Sequence, residues 1–387
     1  MMRKIMVKIL GIAVLLINLF VPNTCAFANE EKTSWKQLAP MPTSSWILQT
    51  EVVDGKIYTI AGLGDSDYST PISPTEVYDS STDTWATLAS MPTPRWGFET
   101  EVIDGKIYGI GGWGIGGTPV TSTEVYDPST DTWTVLAPMS VAQGDDFQTE
   151  VIDGKIYAIG SDGTCTSSTG VYDPSTDTWT ILSAMPTART AFQTEVINGK
   201  IYVLGGYSGS AHNSDMKPLS STEVYDPSTE TWTTLPPLIT PRCFFQTEVI
   251  DGKIYALGGW NVNVWDSEGK TLSSIEVYDP STNTWTTLAP MSTTRCWLQT
   301  EVIDGEIYAI GGEGIIDGID YTPISSTEVY DPSTDTWTTL ASMSKSKCFL
   351  FNSEVIDKVI YAIDECSFES YAVNTSSPNN RVIFRYN

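Results

Sequence analysis

Four arginines stand at one fixed distance before a recurrent turn. Arg95, Arg189, Arg242 and Arg295 each lie nine residues ahead of the Asp or Asn that opens it. Ser45 fills this place in the first copy, while Lys347 and Gln143 fill it one residue out of register. A guanidinium fork matches a carboxylate in two-point contact, so the chemistry implied is anion recognition. Aromatic rings accompany the cations: Trp46, Trp96, Phe244, Trp297 and Phe349 on the same segment, with Trp113, Tyr207, Trp260 and Trp265 on a second. Flat rings beside polar forks suit a sugar or a peptide. The expected ligand-binding set is Arg95, Arg189, Arg242, Arg295, Lys347, Trp96, Trp113, Tyr207, Trp260 and Trp297. The competing reading of the arginines is architectural, with each one pairing to a nearby acid or capping backbone carbonyls.

Other reactive side chains are less promising. Glu51, Glu101, Glu150, Glu195, Glu248, Glu301 and Glu354 stand in register, one per repeat. Seven identical carboxylates must each find a local hydrogen bond, so they read as scaffold and no catalytic residue is assigned. His212 is the single histidine, which removes any metal site built on paired imidazoles. Cys243, Cys296 and Cys348 occupy nearly equivalent places without the close pairs of a thiolate metal site, so no metal or cofactor is expected. Cys348 and Cys366 flank one hairpin and are the candidate disulfide pair, with free thiols the alternative.

These residues are positioned by a repeat. Trp35, Trp85, Trp133, Trp179, Trp232, Trp285 and Trp337 recur at spacings of 50, 48, 46, 53, 53 and 52 residues. One phrase between them is Thr100-Glu-Val-Ile-Asp-Gly-Lys-Ile-Tyr-Gly-Ile-Gly-Gly112; a second is Thr123-Glu-Val-Tyr-Asp-Pro-Ser-Thr-Asp-Thr-Trp133. Each unit reads as four strands. Strand a ends in Thr-Glu-Val-Ile, an Asp-Gly turn of type I′ follows, and strand b is Lys-Ile-Tyr-x-Ile. Glu-Val-Tyr is strand c, Asp-Pro-Ser-Thr-Asp is a turn, and Trp-Thr-x-Leu is strand d. Units of about 50 residues with four strands imply a β-propeller.

With its double glycine after strand b, its Tyr in that strand and its Trp about 20 residues on, the repeat resembles the kelch family. The resemblance covers Ser34 to Asn387, in units 35–84, 85–132, 133–178, 179–231, 232–284, 285–336 and 337–387. It implies an all-β, seven-bladed propeller. Because the chain starts on a d-type strand, that strand is expected to close the ring by pairing with a C-terminal c strand, assigned to Val382–Tyr386. In kelch adaptors of ubiquitin ligases, arginines at this repeat position bind acidic peptides; the matching residues are Arg95, Arg189, Arg242 and Arg295. Galactose oxidase, a relative by fold, needs two His ligands and is excluded by the single His212. Sialic-acid mutarotases need only Arg and Glu-type groups and stand as an alternative, although they resemble six blades rather than seven.

Alternation of strand direction puts the Asp-Gly and Asp-Pro-Ser-Thr turns on one face and the d–a and b–c connections on the other. The first face is nearly identical between copies. The second varies, and a ligand that is not seven-fold symmetric needs variation, so the mouth on that face is where recognition is expected.

Composition limits the partner. The net charge is −26, with 47 acidic and 21 basic residues. That balance argues against nucleic acid or an anionic membrane, since phosphate binding needs a basic surface. Arg3, Lys4 and Lys8 precede the apolar run Ile9 to Val21, and Ala26-Phe27-Ala28 supplies a cleavage signature. Residues 1–28 therefore read as a signal peptide, and the mature chain from Asn29 as a secreted monomer with no membrane insertion, bacterial by expectation. The functional expectation is non-catalytic recognition of a glycan or an acidic peptide or protein at the mouth. A mutarotase-like enzyme and a structural or adhesive surface protein are the alternatives.

Overall fold

A computed structural model describes residues 35–64, 70–141, 144, 147–161, 167–208, 217–261, 271–316, 319–343, 351–364 and 370–375. The expected signal peptide therefore lies outside the described residues, as do Lys347, Cys348, Phe349, Cys366 and Trp265. Within them the repeat folds into seven small antiparallel sheets. Blade 2 shows the pattern, with strand a at Glu99–Ile103, b at Lys106–Ile110, c at Thr123–Asp127 and d at Thr132–Val135. The a strands touch in sequence around a closed circle, from Gln49–Val53 in blade 1 to Phe351–Ile356 in blade 7, which returns to blade 1. The protein is a seven-bladed propeller with strand a of every blade on the central channel.

The Asp-Gly turns set the register. Asp104 and Gly105 both adopt positive φ, 51° and 71°, as a type I′ turn requires, and this places Glu101 opposite Tyr108. The core lies between blades rather than within them. Ile107 and Tyr126 of blade 2 pack against Val53, Tyr58 and Ile60 of blade 1. A polar clamp crosses the same junction on the Asp-Pro face: the Asp131 carboxylate accepts from the Tyr126 hydroxyl and from the Ala89 N–H, and Trp133 Nε1 donates to the Ala89 carbonyl.

Closure is as expected, but with a different strand. Lys36–Gln37 pairs with Ser370–Asn374, so blade 7 combines the first strand of the chain with strand c at 370–374. The assignment of Val382–Tyr386 to this strand is corrected; that segment lies outside the described residues. Only five residues separate strand b, Val359–Asp364, from strand c.

Blade 7 also breaks the turn rule, because Lys358 stands where the other blades have glycine, and its φ is 63°. A left-handed conformation costs a side-chain-bearing residue about 1 kcal/mol. The exposed Lys358–Asp304 ion pair, at 2.6 Å, returns less than that. Lys358→Gly will therefore raise stability by about 0.5–1 kcal/mol in urea unfolding. A loss of stability would show that the ion pair outweighs the turn.

Candidate functional site

The arginines do not reach the mouth surface. Arg95, Arg189, Arg242 and Arg295 are 0–1% exposed, and each is ion-paired to a glutamate of its own blade. The separations are 2.7 Å for Arg95–Glu124, 3.1 Å for Arg189–Glu223, and 2.7 Å for both Arg242–Glu276 and Arg295–Glu328. Arg242 Nη1 also donates to the carbonyls of Gly258 and Ser274, and its Nη2 to Ser274 Oγ. Each arginine thus staples the d–a connection to the double glycine and to the start of strand c. This is the architectural reading, and it corrects the assignment of these four residues to ligand binding.

A buried carboxylate needs such a partner, and blade 1 shows the alternative. There Ser45 replaces the arginine, and burial raises the Glu76 pKa, opposed only by hydrogen bonds from Thr43. Burial acts on Glu328 in the same direction, but Ser292 and Arg295 outweigh it and hold this carboxyl below its ordinary value. Blades 3 and 7 lack the aligned arginine, and Gly170 and Tyr371 stand where their glutamate would be. This joint loss within one chain is a signal that reading each motif separately misses.

The double glycine allows the connections to approach closely. A Cβ on Gly112 would lie 2.6 Å from the Trp96 carbonyl, and one on Gly258 would lie 2.4 Å from that of Arg295. Behind the glycines, the residue after each arginine pairs with the residue after Gly-Gly: Trp96 with Trp113, Cys243 with Trp260, Cys296 with Glu313. These short ladders carry the side chains that form the mouth.

The aromatic residues fall into two groups. Trp96 and Trp113 stack, with ring centroids 6.4 Å apart and planes at 27°. Trp113 leans onto the next connection, where a Cβ on Gly144 would sit 2.6 Å from its ring. Across blades 4 to 6, Tyr207, Cys243, Trp260 and Cys296 form a buried cluster under the half-buried Phe244 and Trp297. The Phe244 and Trp297 rings are 4.8 Å apart, and Trp297 meets Trp260 edge-on at 5.9 Å. Tyr207 and Trp260 are each 4% exposed and serve as packing, which corrects their assignment to ligand contact. Trp96, Trp113 and Trp297 keep exposed surface at the mouth.

Strain marks the same place. Ile47, Ala191, Phe244 and Trp297 hold φ of 55°, 48°, 52° and 49° in equivalent connections. Bulky side chains avoid this region, and where they occupy it the surroundings must enforce it. Here the Trp297 N–H donates to the Phe244 carbonyl at 3.1 Å, linking neighbouring blades around the rim.

Deeper in the channel, the seven glutamates solve their burial in a circle. Glu51 accepts from Thr100, Glu101 from Thr149, and so on through Ser353 for Glu301 to Thr50 for Glu354. Desolvation raises them to about 7 or 8. Glu99 stands where five other blades have glutamine and blade 7 has Asn352, and it too is raised to about 8, by enclosure and then by Glu101, Glu51 and Glu150. On the turn face, a cleft of about 850 Å³ opens beside blade 6, where Glu306 replaces the lysine that pairs with the turn aspartate in blades 1 to 5. Cys243 and Cys296 are free buried thiols, and among the described residues no cluster of His, Cys, Asp and Glu could hold a metal ion.

The "FKB95, Kelch-repeats domain" family matches residues 20–180 and 148–272, and the "Kelch motif" family matches 299–344. The chain belongs to the kelch-repeat family. Among kelch proteins, human Kelch-like protein 28 is 42% identical over 98 residues, which is 24% of this chain and 17% of that protein. An F-box/kelch-repeat protein of Arabidopsis thaliana is 36% identical over 107 residues, 28% of this chain and 21% of that one. The chain thus matches about a fifth of the length of these relatives. Among solved structures, YjhT superposes with TM-score 0.58 at 16% identity, covering 78% of this chain and 99% of that one. A fungal alcohol oxidase of the AA5 family, in complex with copper, gives TM-score 0.68 at 17% identity, covering 88% and 76%. At these identities the two structures share the fold alone.

Proposed function

We propose that this kelch protein is an exported, non-catalytic binding module that holds a protein partner on the b–c and d–a mouth. The observation that carries this reading is the contrast between the two faces. The turn faces repeat the Asp-Gly and Asp-Pro-Ser-Thr phrases in nearly every blade, while strained, half-exposed aromatic residues gather on the mouth. A leader over residues 1–28 would deliver it outside the cell. An acidic ligand loses its support once the four arginines are committed to glutamates. The mutarotase-like alternative loses the guanidinium that would hold a sugar carboxylate. The flat Trp96–Trp113 pair favours a second reading, a pyranose ring stacked on the mouth.

The test is a binding screen of the chain from Asn29 onward against extracellular protein and glycan panels, beside Trp297→Ala and Trp96→Ala. A partner lost with Trp297→Ala, at unchanged circular dichroism, supports the protein reading. Loss confined to Trp96→Ala with a glycan would favour the sugar. Binding indifferent to both substitutions would remove the mouth from consideration.

A further inference from the structure

The junction between blades 6 and 7 departs from the other six in two ways. At each of those six, the strand b tyrosine of one blade meets the strand c tyrosine of the next, with ring centroids 5.9–6.3 Å apart. In blade 7, Val373 pairs with Ile360, the place where strand c of the other blades carries that tyrosine. Tyr308 of blade 6 therefore meets no strand c tyrosine. Blade 7 also has no Asp-Pro-Ser-Thr type of turn, because its strands c and d come from opposite parts of the chain. The turn-face cleft of about 850 Å³ opens at this junction, and Glu306, Tyr308, Asp331 and Thr375 are among its walls.

The walls define what the cleft can hold. Glu306 stands where blades 1 to 5 carry the lysine bound to the turn aspartate, so Asp331 has a second carboxylate beside it in the cleft. Asp251 and Asp304 add two more acids. The two lysines of the cleft are already engaged, Lys253 by Asp279 and Lys358 by Asp304. The site thus favours a cation, and a guanidinium matches paired carboxylates best. Tyr308 is 3% exposed, against 7–8% for its six counterparts, although Val373 is smaller than the tyrosine it replaces. Thr375 is hydrogen-bonded to Tyr308, so the chain leaves strand c beside this ring.

The complement of these walls follows a few residues later in the same chain. Arg381-Val-Ile-Phe-Arg-Tyr386 carries two cations, two aromatic rings and no acid. Arg381 is six residues beyond Thr375, a span of at most about 20 Å, which keeps the segment within reach of the cleft. We propose that the cleft is the docking site of the chain's own segment Arg381–Tyr386. In an extended segment Arg381 and Arg385 leave one side and Phe384 the other. The arginines bind Glu306 and Asp331, the role lysine plays in blades 1 to 5, and Phe384 lies against Tyr308 in place of the strand c tyrosine. The segment before strand d suits the cleft poorly, since Glu30 and Glu31 would face its acids. This site is on the turn face, so it stands apart from the binding role assigned to the mouth.

The experiment compares the chain from Asn29 onward with the same chain cut after Thr375. The probe is a fluorescein-labelled peptide of residues 381–387, and binding is read by anisotropy. The cut chain will bind the peptide at least about tenfold more tightly than the full chain, whose own segment competes at an effective concentration of order millimolar. In the cut chain, Glu306→Lys restores the residue type of blades 1 to 5 and will weaken binding about tenfold. A peptide carrying Arg381→Glu and Arg385→Glu will lose as much. Equal binding by the full and cut chains, or no binding by either, would overturn the docking. So would a cut chain indifferent to Glu306→Lys. If the cut chain fails to fold, the full chain decides. There Glu306→Lys will shift Tm more favourably, by about 2 °C, in a chain carrying Arg381→Glu and Arg385→Glu than in the parent. The same shift in both backgrounds would overturn the proposal.

Discussion

Glu276→Ala will destabilise the propeller by about 3–5 kcal/mol, because it strands a guanidinium inside the protein. Arg242 is 0% exposed, and Glu276 is the only carboxylate paired with it among the described residues, at 2.7 Å. The substitution also orphans the N–H groups of Ile239 and Thr240, which donate to Glu276 at 2.8 and 2.9 Å. Removing both charges should be far milder. Arg242→Met with Glu276→Leu will recover most of the loss, since paired apolar replacements of buried ions are often neutral. Blade 3, with Gly170 in the glutamate position, already folds without this pair. Thermal or urea unfolding of the two variants checks the argument. A Glu276→Ala protein as stable as the parent would sink it.

The second large effect is a loss of stability on raising the pH through neutrality. The seven channel glutamates and Glu99 sit at about 7 to 8 in the folded chain, against an ordinary value of 4.5. Between those limits the folded state retains protons that the unfolded state has released. Stability therefore falls as pH rises from about 4.5 to about 8 and levels off beyond. A single carboxyl held near 7 corresponds to about 3 kcal/mol, and solvent screening at partly exposed sites reduces the sum over the ring. We expect Tm at pH 8.5 to lie roughly 5–10 °C below that at pH 5.5. The opposite trend appears at low pH. Asp79, Asp127, Asp173, Asp226 and Asp279 are held at about 2, chiefly by the serine or lysine beside each. Their contribution is present above their ordinary values and fades as pH falls toward 2. Glu99→Gln separates the channel from general surface repulsion. It restores the residue found in five other blades, and it should raise Tm at pH 8.5 with little change at pH 5.5. A Tm independent of pH, measured in 0.5 M salt to screen the surface, would refute the channel account.

The legible parts of this molecule were those fixed by local chemistry. Asp-Gly dictates its turn, the turn dictates that Glu101 faces Tyr108, and the count of Trp-bearing strands dictates seven blades. Two features escaped for physical reasons. Val382–Tyr386 reads as the closing strand because it is the last strand-like run of the sequence, with 366–380 taken as the loop before it. Pairing with Lys36–Gln37, not intrinsic pattern, decides the matter. The arginines read as mouth residues because they stand on the d–a connections, which strand alternation puts on that face. Their partner lies some 30 residues away in a phrase that repeats almost unchanged, so it looked like scaffold. Only the joint absence of arginine and glutamate from blades 3 and 7 ties the two positions together.

The shared blade carries a kinetic consequence. Among the described residues, Lys36 and Ala372 are among the earliest and latest to enter any strand, yet they are neighbours in one sheet. Six blades can assemble in the order of synthesis, each against its predecessor, while the first strand waits for a partner not yet made. Loop entropy grows only as the logarithm of length, so the thermodynamic cost of this delay is small. Its cost in time is not, because contacts distant in sequence form late. A junction formed after the folding barrier is also the first to part. Strengthening it will slow unfolding and lengthen the lifetime of the ring without making it fold faster.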